Sequence, residues 1–204
     1  MTDNKLMKTA KTLDTVIKIL QVIATIGMVA ALVAALLMGA ALIFDLPTEM
    51  IAKPDFTVTL DSYTLTLSED IPIAMEKTFL VGIGTMLVMV VHLGLGYYFF
   101  KTLRAIFAPM KEGQPFHDSV SLNLKKLGYC GIAMCVMDMI SEFVGKLLTA
   151  TVYPLQEVFG NYVTHVDYTV EVNMAYLLLA GVCFLLSYIF SYGTQLQIQS
   201  DETL

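Results

Sequence analysis

Four long apolar blocks constrain this chain more than any other feature of its sequence. They cover residues 19–44, 78–100, 127–148 and 174–192, and an α-helix needs about 20 apolar residues to cross a hydrocarbon layer of roughly 30 Å. Only 15 % of the 204 residues are charged, compared with about a quarter in a soluble domain. We therefore predict a mainly α-helical membrane protein in which residues 1–204 form one domain, a bundle of four transmembrane helices.

The first block must be distinguished from a cleaved signal peptide, because Lys5, Lys8, Lys11 and Lys18 precede it. The apolar core of a signal peptide has about 7–15 residues. This block has 26 residues without a charge, and three further blocks follow it. We interpret it as an uncleaved first span that is long enough to cross the bilayer with some tilt.

Basic residues are concentrated at one end of the predicted bundle. Nine of the twelve lie in the N-terminal arm or in the connection between the second and third spans, residues 101–126. Those in the connection form a predicted basic surface: Lys101, Arg104, Lys111, Lys125 and Lys126. The positive-inside rule then predicts a multi-pass protein of the cell membrane with both termini in the cytoplasm, and with residues 45–77 and 149–173 as outer loops.

The sequence offers little support for an enzyme or for a nucleic-acid-binding protein. The net charge of −6 provides no global field to attract phosphate, so direct nucleic-acid binding is not expected. HExxH, GxSxG and GxxxxGK[ST] motifs are absent from the sequence, as is any cysteine–histidine cluster with metal-ligand spacing. We predict no catalytic residue, no cofactor and no metal site, and we interpret Cys130, Cys135 and Cys183 as small buried thiols.

A stripe of small residues runs along the first span. Gly27, Ala31, Ala35 and Gly39 recur at four-residue spacing, which lets the backbone of another helix approach closely in lipid. Packing within this chain's own bundle is the interpretation we favour, because four spans must contact each other. Homo-oligomerisation is the alternative.

The outer loops contain patterns typical of β-strands. Residues 56–60 and 63–67 alternate apolar side chains with threonine, and Asp61 and Ser62 between them favour a turn. Residues 166–172 alternate in the same way. A lone hairpin is marginal in water, whereas three strands that share an apolar face are stable. We therefore predict a small extracytoplasmic sheet of about three strands on the outer ends of the helices.

Asp138 and Glu142 lie one helical turn apart inside the third span, with Ser141 on part of the same surface. A charge at the bilayer centre costs at least about 2.5–3.5 kcal/mol, so both must face protein or water. Lys146 stands four residues after Glu142 and predicts an ion pair. For Asp138 two interpretations stay open: a functional acid within reach of His92, or a protonated structural acid bonded to a neighbouring helix. His92 alone is expected to be a packing residue.

Two segments of the sequence carry a family resemblance. They are LRAIFAPMKEGQPFHDSVSLNLKKLGYCGIA, after the second span, and the closing YIFSYGTQLQIQSDETL. Together with the four-span layout they resemble a bacterial membrane family catalogued as a domain of unknown function, which has a Gly-x-Pro-Phe turn and a glycine-bearing closing segment with an acidic end. Genes of that family often stand beside one for a small helix-turn-helix regulator. The resemblance implies a membrane partner in regulation and supplies no activity.

These observations lead to two functional hypotheses. The first is a non-enzymatic membrane sensor, or a regulatory partner of a cytoplasmic protein, that uses the basic surface. The acidic tail with Asp201, Glu202 and the Leu204 carboxylate is expected to pack against that same surface. The alternative is a small oligomeric, proton-linked transporter that uses intramembrane carboxylates and requires a polar cavity around Asp138.

Overall fold

The computed structural model describes residues 2–44, 57–60, 63–66, 75–114, 116–152, 160 and 169–202. Four long helices lie within these ranges: α1 (Thr2–Ile43), α2 (Met75–Met110), α3 (Asp118–Val152) and α4 (Met174–Glu202). Each contains one of the four apolar blocks, and each is long and apolar enough to cross a membrane. The prediction of a mainly helical chain with four helices of membrane-spanning length is confirmed.

Contacts between the helix ends establish an up-down-up-down order. Asp14 near the start of α1 binds Arg104 near the end of α2, and Thr194 near the end of α4 binds Phe116 in the turn before α3. We call this the terminal end. At the opposite end, here the loop end, Asp138 of α3 binds Asn173, which directly precedes α4. Successive helices are therefore antiparallel, as short connections between spans require.

The helices pack in chain order. α1 packs against α2, α2 against α3, and α3 against α4, and no extensive contact joins α1 to α4 in the described part of the chain. The buried residues of α1 lie along one seam, at intervals of three, four or seven residues. They are Ala10, Ile17, Gln21, Ala24, Ala31 and Ala35. A repeat of 3.5 residues keeps a single seam facing one partner helix. From Ile19 to Ile43 the exposed side chains of α1 are almost all apolar, as a lipid-facing surface requires.

The main buried cluster lies toward the terminal end, where α2, α3 and α4 meet. It consists of Ile106, Val120, Leu124, Leu127 and Cys183, and Phe99, Leu103, Met110 and Phe190 pack against it. Val120 is fully buried. Three of its five buried residues lie in the connection between the second and third apolar blocks: Ile106, Val120 and Leu124. The helices are therefore held together partly by residues outside the apolar blocks.

The turn between α2 and α3 is short and tightly bonded. The chain leaves α2 just after Pro109, and Gln114 N donates to the Pro109 carbonyl at 3.0 Å. Gly113 has a φ of 79°, a conformation that glycine adopts without steric cost. α3 begins at Asp118.

A β-hairpin lies in the connection between α1 and α2. Strands β1 (Thr57–Leu60) and β2 (Tyr63–Thr66) pair antiparallel, with Thr57 opposite Thr66 and Val58 opposite Leu65. The predicted third strand is not shown. Its first residues, 166–168, lie outside the described part, and residues 169–173 are not in a strand. Their backbone is instead bound by α3, because the Thr169 carbonyl accepts a hydrogen bond from Lys146 and Glu171 N donates to Glu142.

Candidate functional site

Glu142 is held by groups on both sides of the α3–α4 connection. Lys146 Nζ donates to its Oε1 and also to the Thr169 carbonyl. Glu171 N donates to the second carboxylate oxygen at 3.1 Å. Glu142 and Lys146 therefore clamp the segment before α4 onto the end of α3. The ion pair expected from the sequence is present, and it has a structural role that the spacing alone did not reveal.

Asp138 lies one turn deeper and binds the residue that starts α4. Its Oδ2 accepts from Asn173 Nδ2 at 3.2 Å, and Asn173 Oδ1 accepts from Ala175 N at 3.2 Å. The second bond is an N-cap, which satisfies a free N–H group at the first turn of the helix. Cys135 Sγ also donates to the Asn173 carbonyl at 3.8 Å. Three consecutive turns of α3 thus position the start of α4, and Asp138 is not bonded to His92.

His92 faces a cavity between α2 and α3 instead. The cavity has a volume of about 370 Å³, and its lining includes Thr85, Val88, His92, Ser141, Val144 and Gly145. Ser141 Oγ donates to the Met137 carbonyl at 2.7 Å, and Thr85 Oγ1 donates to the Val81 carbonyl at 2.9 Å. His92 and Ser141, two of the residues singled out from the sequence, therefore share one cavity, whereas Asp138 and Glu142 do not line it.

The small-residue stripe of α1 lies against α2 over most of its length. Ala31 and Ala35 are buried, and a Cβ atom at Gly27 would stand 3.2 Å from Leu93 of α2. Gly39 has no such neighbour within 4 Å. The stripe is therefore used for packing inside the chain from residue 27 to residue 35, and its last member lies outside that contact.

The five residues of the predicted basic surface fall into two groups. Arg104 Nε donates to Asp14 Oδ1 at 2.9 Å, and Lys111 Nζ lies 3.0 Å from Asp14 Oδ2. Arg104 Nη1 also donates to the buried Gln21 Oε1 at 2.9 Å. These two cations tie α2 to α1 and neutralise its Asp14. The other three are exposed and form no ion pair within the described ranges: Lys101, Lys125 and Lys126.

Sequence reasoning missed Asp14 and Gln21. The signal that points to them is their spacing, because both continue the seam of α1 between Ala10 and Ala24. A polar residue on an apolar seam needs a partner on the facing helix. Of the predicted tail contact, the structure describes only the side chain of Glu202, which is exposed and forms no ion pair within the described part. The side chain of Asp201 and residues 203–204 lie outside the described part.

The two segments that carry the family resemblance contact each other at the terminal end. Thr194 Oγ1 donates to the Phe116 carbonyl at 2.8 Å. The ring of Phe116 lies where a side chain at Gly193 would be, 2.7 Å from an ideal Cβ atom. Its centroid is 5.8 Å from that of Phe190. The turn before α3 is therefore docked on the last turns of α4, beside a second cavity of about 290 Å³.

His117 caps the start of α3 at this junction. Its Nδ1 accepts from Ser119 N at 3.1 Å and lies 2.8 Å from Ser119 Oγ. No group of three or more His, Cys, Asp or Glu side chains with a geometry suited to a metal ion occurs among the described residues. The three cysteines are unbonded to each other and buried.

Comparisons with known proteins add no relative: no family model, no curated protein and no solved structure matches this chain.

Proposed function

We propose that this chain is a non-enzymatic multi-pass membrane protein that acts as a sensor or regulatory partner of a cytoplasmic protein, and that an acidic segment of that protein binds its terminal end. Nine of the twelve basic residues belong to that end, which supports its placement in the cytoplasm. The hairpin between α1 and α2 then lies on the outer side of the membrane.

The observation that carries this proposal is the exposed lysine set Lys101, Lys125 and Lys126. Because Cys130 Sγ donates to the Leu95 carbonyl at 3.8 Å and the helices are antiparallel, Lys101 lies at nearly the same depth as Lys125. These cations are not neutralised within the described part, in contrast to Arg104 and Lys111. Three unpaired cations at one depth attract an acidic partner through their combined field.

The partners of the two intramembrane acids support a non-enzymatic function. Asp138 and Glu142 bind the segment that leads into α4, so their carboxylates hold the loop end together, and neither lines the described cavity between α2 and α3. Intramembrane carboxylates are functional by default. Here each has a structural partner that accounts for its presence.

The experiment is crosslinking in native membranes with two matched triple variants. Replacing Lys101, Lys125 and Lys126 by glutamine should abolish a specific crosslink to a cytoplasmic protein. Replacing Lys8, Lys11 and Lys18, which are exposed lysines of α1, removes the same charge and should retain the crosslink. Equal loss in both variants, or no specific protein in the wild type, contradicts the proposal. Crosslinks to anionic lipid alone would mean that the surface binds headgroups.

A proton-linked carrier is the second candidate, and the cavity beside His92 and Ser141 favours it. A carrier that uses Asp138 must couple this residue to the cavity, whereas its bond is to Asn173. Asp138→Asn separates the two functions. A regulatory protein should keep the same pH dependence of folded stability between about pH 5 and 9, whereas a carrier should lose a pH-dependent transition.

A further inference from the structure

The cavity between α2 and α3 reduces the contact between the two helices. Gly145 on α3 leaves open space, because a Cβ atom there would meet nothing within 4 Å. Helix association in lipid depends on close van der Waals contact, so a void in the interface forgoes attraction that a larger side chain would supply. The volume of about 370 Å³ lies at the lower end of the range of about 300–1,000 Å³ that is typical of small-molecule sites.

The polar groups of the cavity define what it would bind. The hydroxyl protons of Thr85 and Ser141 are used in bonds to their own helices. The imidazole of His92 makes no hydrogen bond to any described residue. A neutral imidazole carries one donor and one acceptor, and leaving them unpaired in an apolar site is costly. Among the described residues, none that lines the cavity is charged, so none of them would neutralise a charged ligand.

The cavity opens toward the surface of the bundle. Met89, which contributes to its lining, is 46 % exposed, and Thr85 is exposed as well. In a spanning helix this surface faces the hydrocarbon layer. A ligand can therefore enter from the bilayer without crossing a layer of packed side chains, which selects molecules that dissolve in lipid.

We propose that this cavity is a binding site for a small, uncharged, largely apolar molecule that carries one carbonyl or hydroxyl oxygen. The apolar part fills the space above Gly145 between Val88 and Val144. The oxygen accepts a hydrogen bond from the ring of His92. This site is separate from the lysine set at the terminal end, and its ligand would be the stimulus for a sensor.

The test uses benzophenone, an uncharged photoreactive ketone, with the full chain in phosphatidylcholine nanodiscs. Irradiation should yield crosslinks that saturate with concentration and map to Met89, Val144 and their neighbours. Gly145→Val, which fills the cavity, should abolish the saturable component. Gly181→Val is the matched control, because a Cβ atom at this exposed glycine of α4 also meets nothing within 4 Å, and it should leave the crosslinks unchanged.

His92→Phe tests the hydrogen bond separately. It keeps an aromatic ring and should raise the concentration for half-saturation about fivefold, the effect of one lost neutral hydrogen bond. If Gly145→Val does not fold, Gly145→Ala with a partly filled cavity serves in its place and should weaken binding. Crosslinks that rise linearly and scatter over the exposed faces of all helices would show lipid partitioning only and overturn the site. An unchanged half-saturation in His92→Phe would overturn the proposed ligand class.

Discussion

The interface between α2 and α3 is packed differently in its two halves. Toward the terminal end it contains the buried cluster around Val120 and Leu124. Toward the loop end, among the side chains that the structure describes, none of α2 before Thr102 and none of α3 after Cys135 is buried. The cavity beside His92 lies in this second half. One half of the interface is thus a packed core, and the other half combines a void with polar contacts to the α3–α4 connection.

Along this pair of helices, the terminal half contains the residues that stabilise the fold, and the loop half contains the candidate functional residues. Dispersion contacts accumulate only where atoms touch, so the terminal half supplies most of the packing energy. Asp138, Glu142 and His92 all lie in the loosely packed half. Regions with few buried contacts open more readily than cores, so a change in ligand or loop contact would alter the loop half first.

The largest effect is expected from truncating the packed half. Leu127→Ala removes a buried side chain and should lower the free energy of unfolding by about 2–4 kcal/mol. Leu147→Ala, the same change on the exposed loop half of α3, should cost about 0.5 kcal/mol or less. Unfolding by denaturing detergent measures both. Equal losses would show that the two halves of the interface contribute alike.

Replacing one glycine at each end of the bundle by alanine should change the free energy of unfolding in opposite directions. Gly193→Ala places a Cβ atom against the ring of Phe116, and we expect a loss of about 1–2 kcal/mol from the displaced ring. Gly145→Ala adds a methyl group in open space, and the better helix propensity should stabilise the protein by about 0.5–1 kcal/mol. Thermal unfolding of both variants measures these two changes in stability. A destabilised Gly145→Ala would mean that the cavity is already filled.

Removing the cap of α4 should have an intermediate effect. Asn173→Ala loses both the bond to Ala175 N and the bond to Asp138, and should cost about 1 kcal/mol. Asn173→Ser keeps a capping oxygen and loses only the Asp138 contact, so its loss should be smaller. Hydrogen exchange of the first turn of α4 resolves the two variants. If exchange there is as slow in Asn173→Ala as in the wild type, the cap does not hold this end of the helix.

The smallest effect is expected at the ion pairs between α1 and α2. Asp14→Asn removes the charge that pairs with Arg104 and Lys111, and the partial exposure of these side chains limits the loss to about 0.5–1 kcal/mol. The difference from wild type should shrink as salt is raised, because surface charges are screened. Denaturation at low and high salt tests this. A salt-independent loss would show that Asp14 acts through packing or neutral hydrogen bonds.

The sequence alone determined the existence and type of the four helices. Apolar blocks of bilayer length have few alternatives, since unpaired backbone groups are too costly in lipid. The Glu142–Lys146 pair was likewise readable, because i,i+4 spacing on a helix is a local pattern.

Only the tertiary structure decided which partner each polar residue has. Asp138 bonds to Asn173, 35 positions away, and not to His92. Arg104 bonds to Asp14, 90 positions away. Residues 169–173 bind α3 and do not form the third strand. Each of these outcomes depends on which faces of the helices meet and at which depth. The rotation of each helix sets these contacts, and it results from the sum of many weak packing contacts that no local sequence pattern encodes.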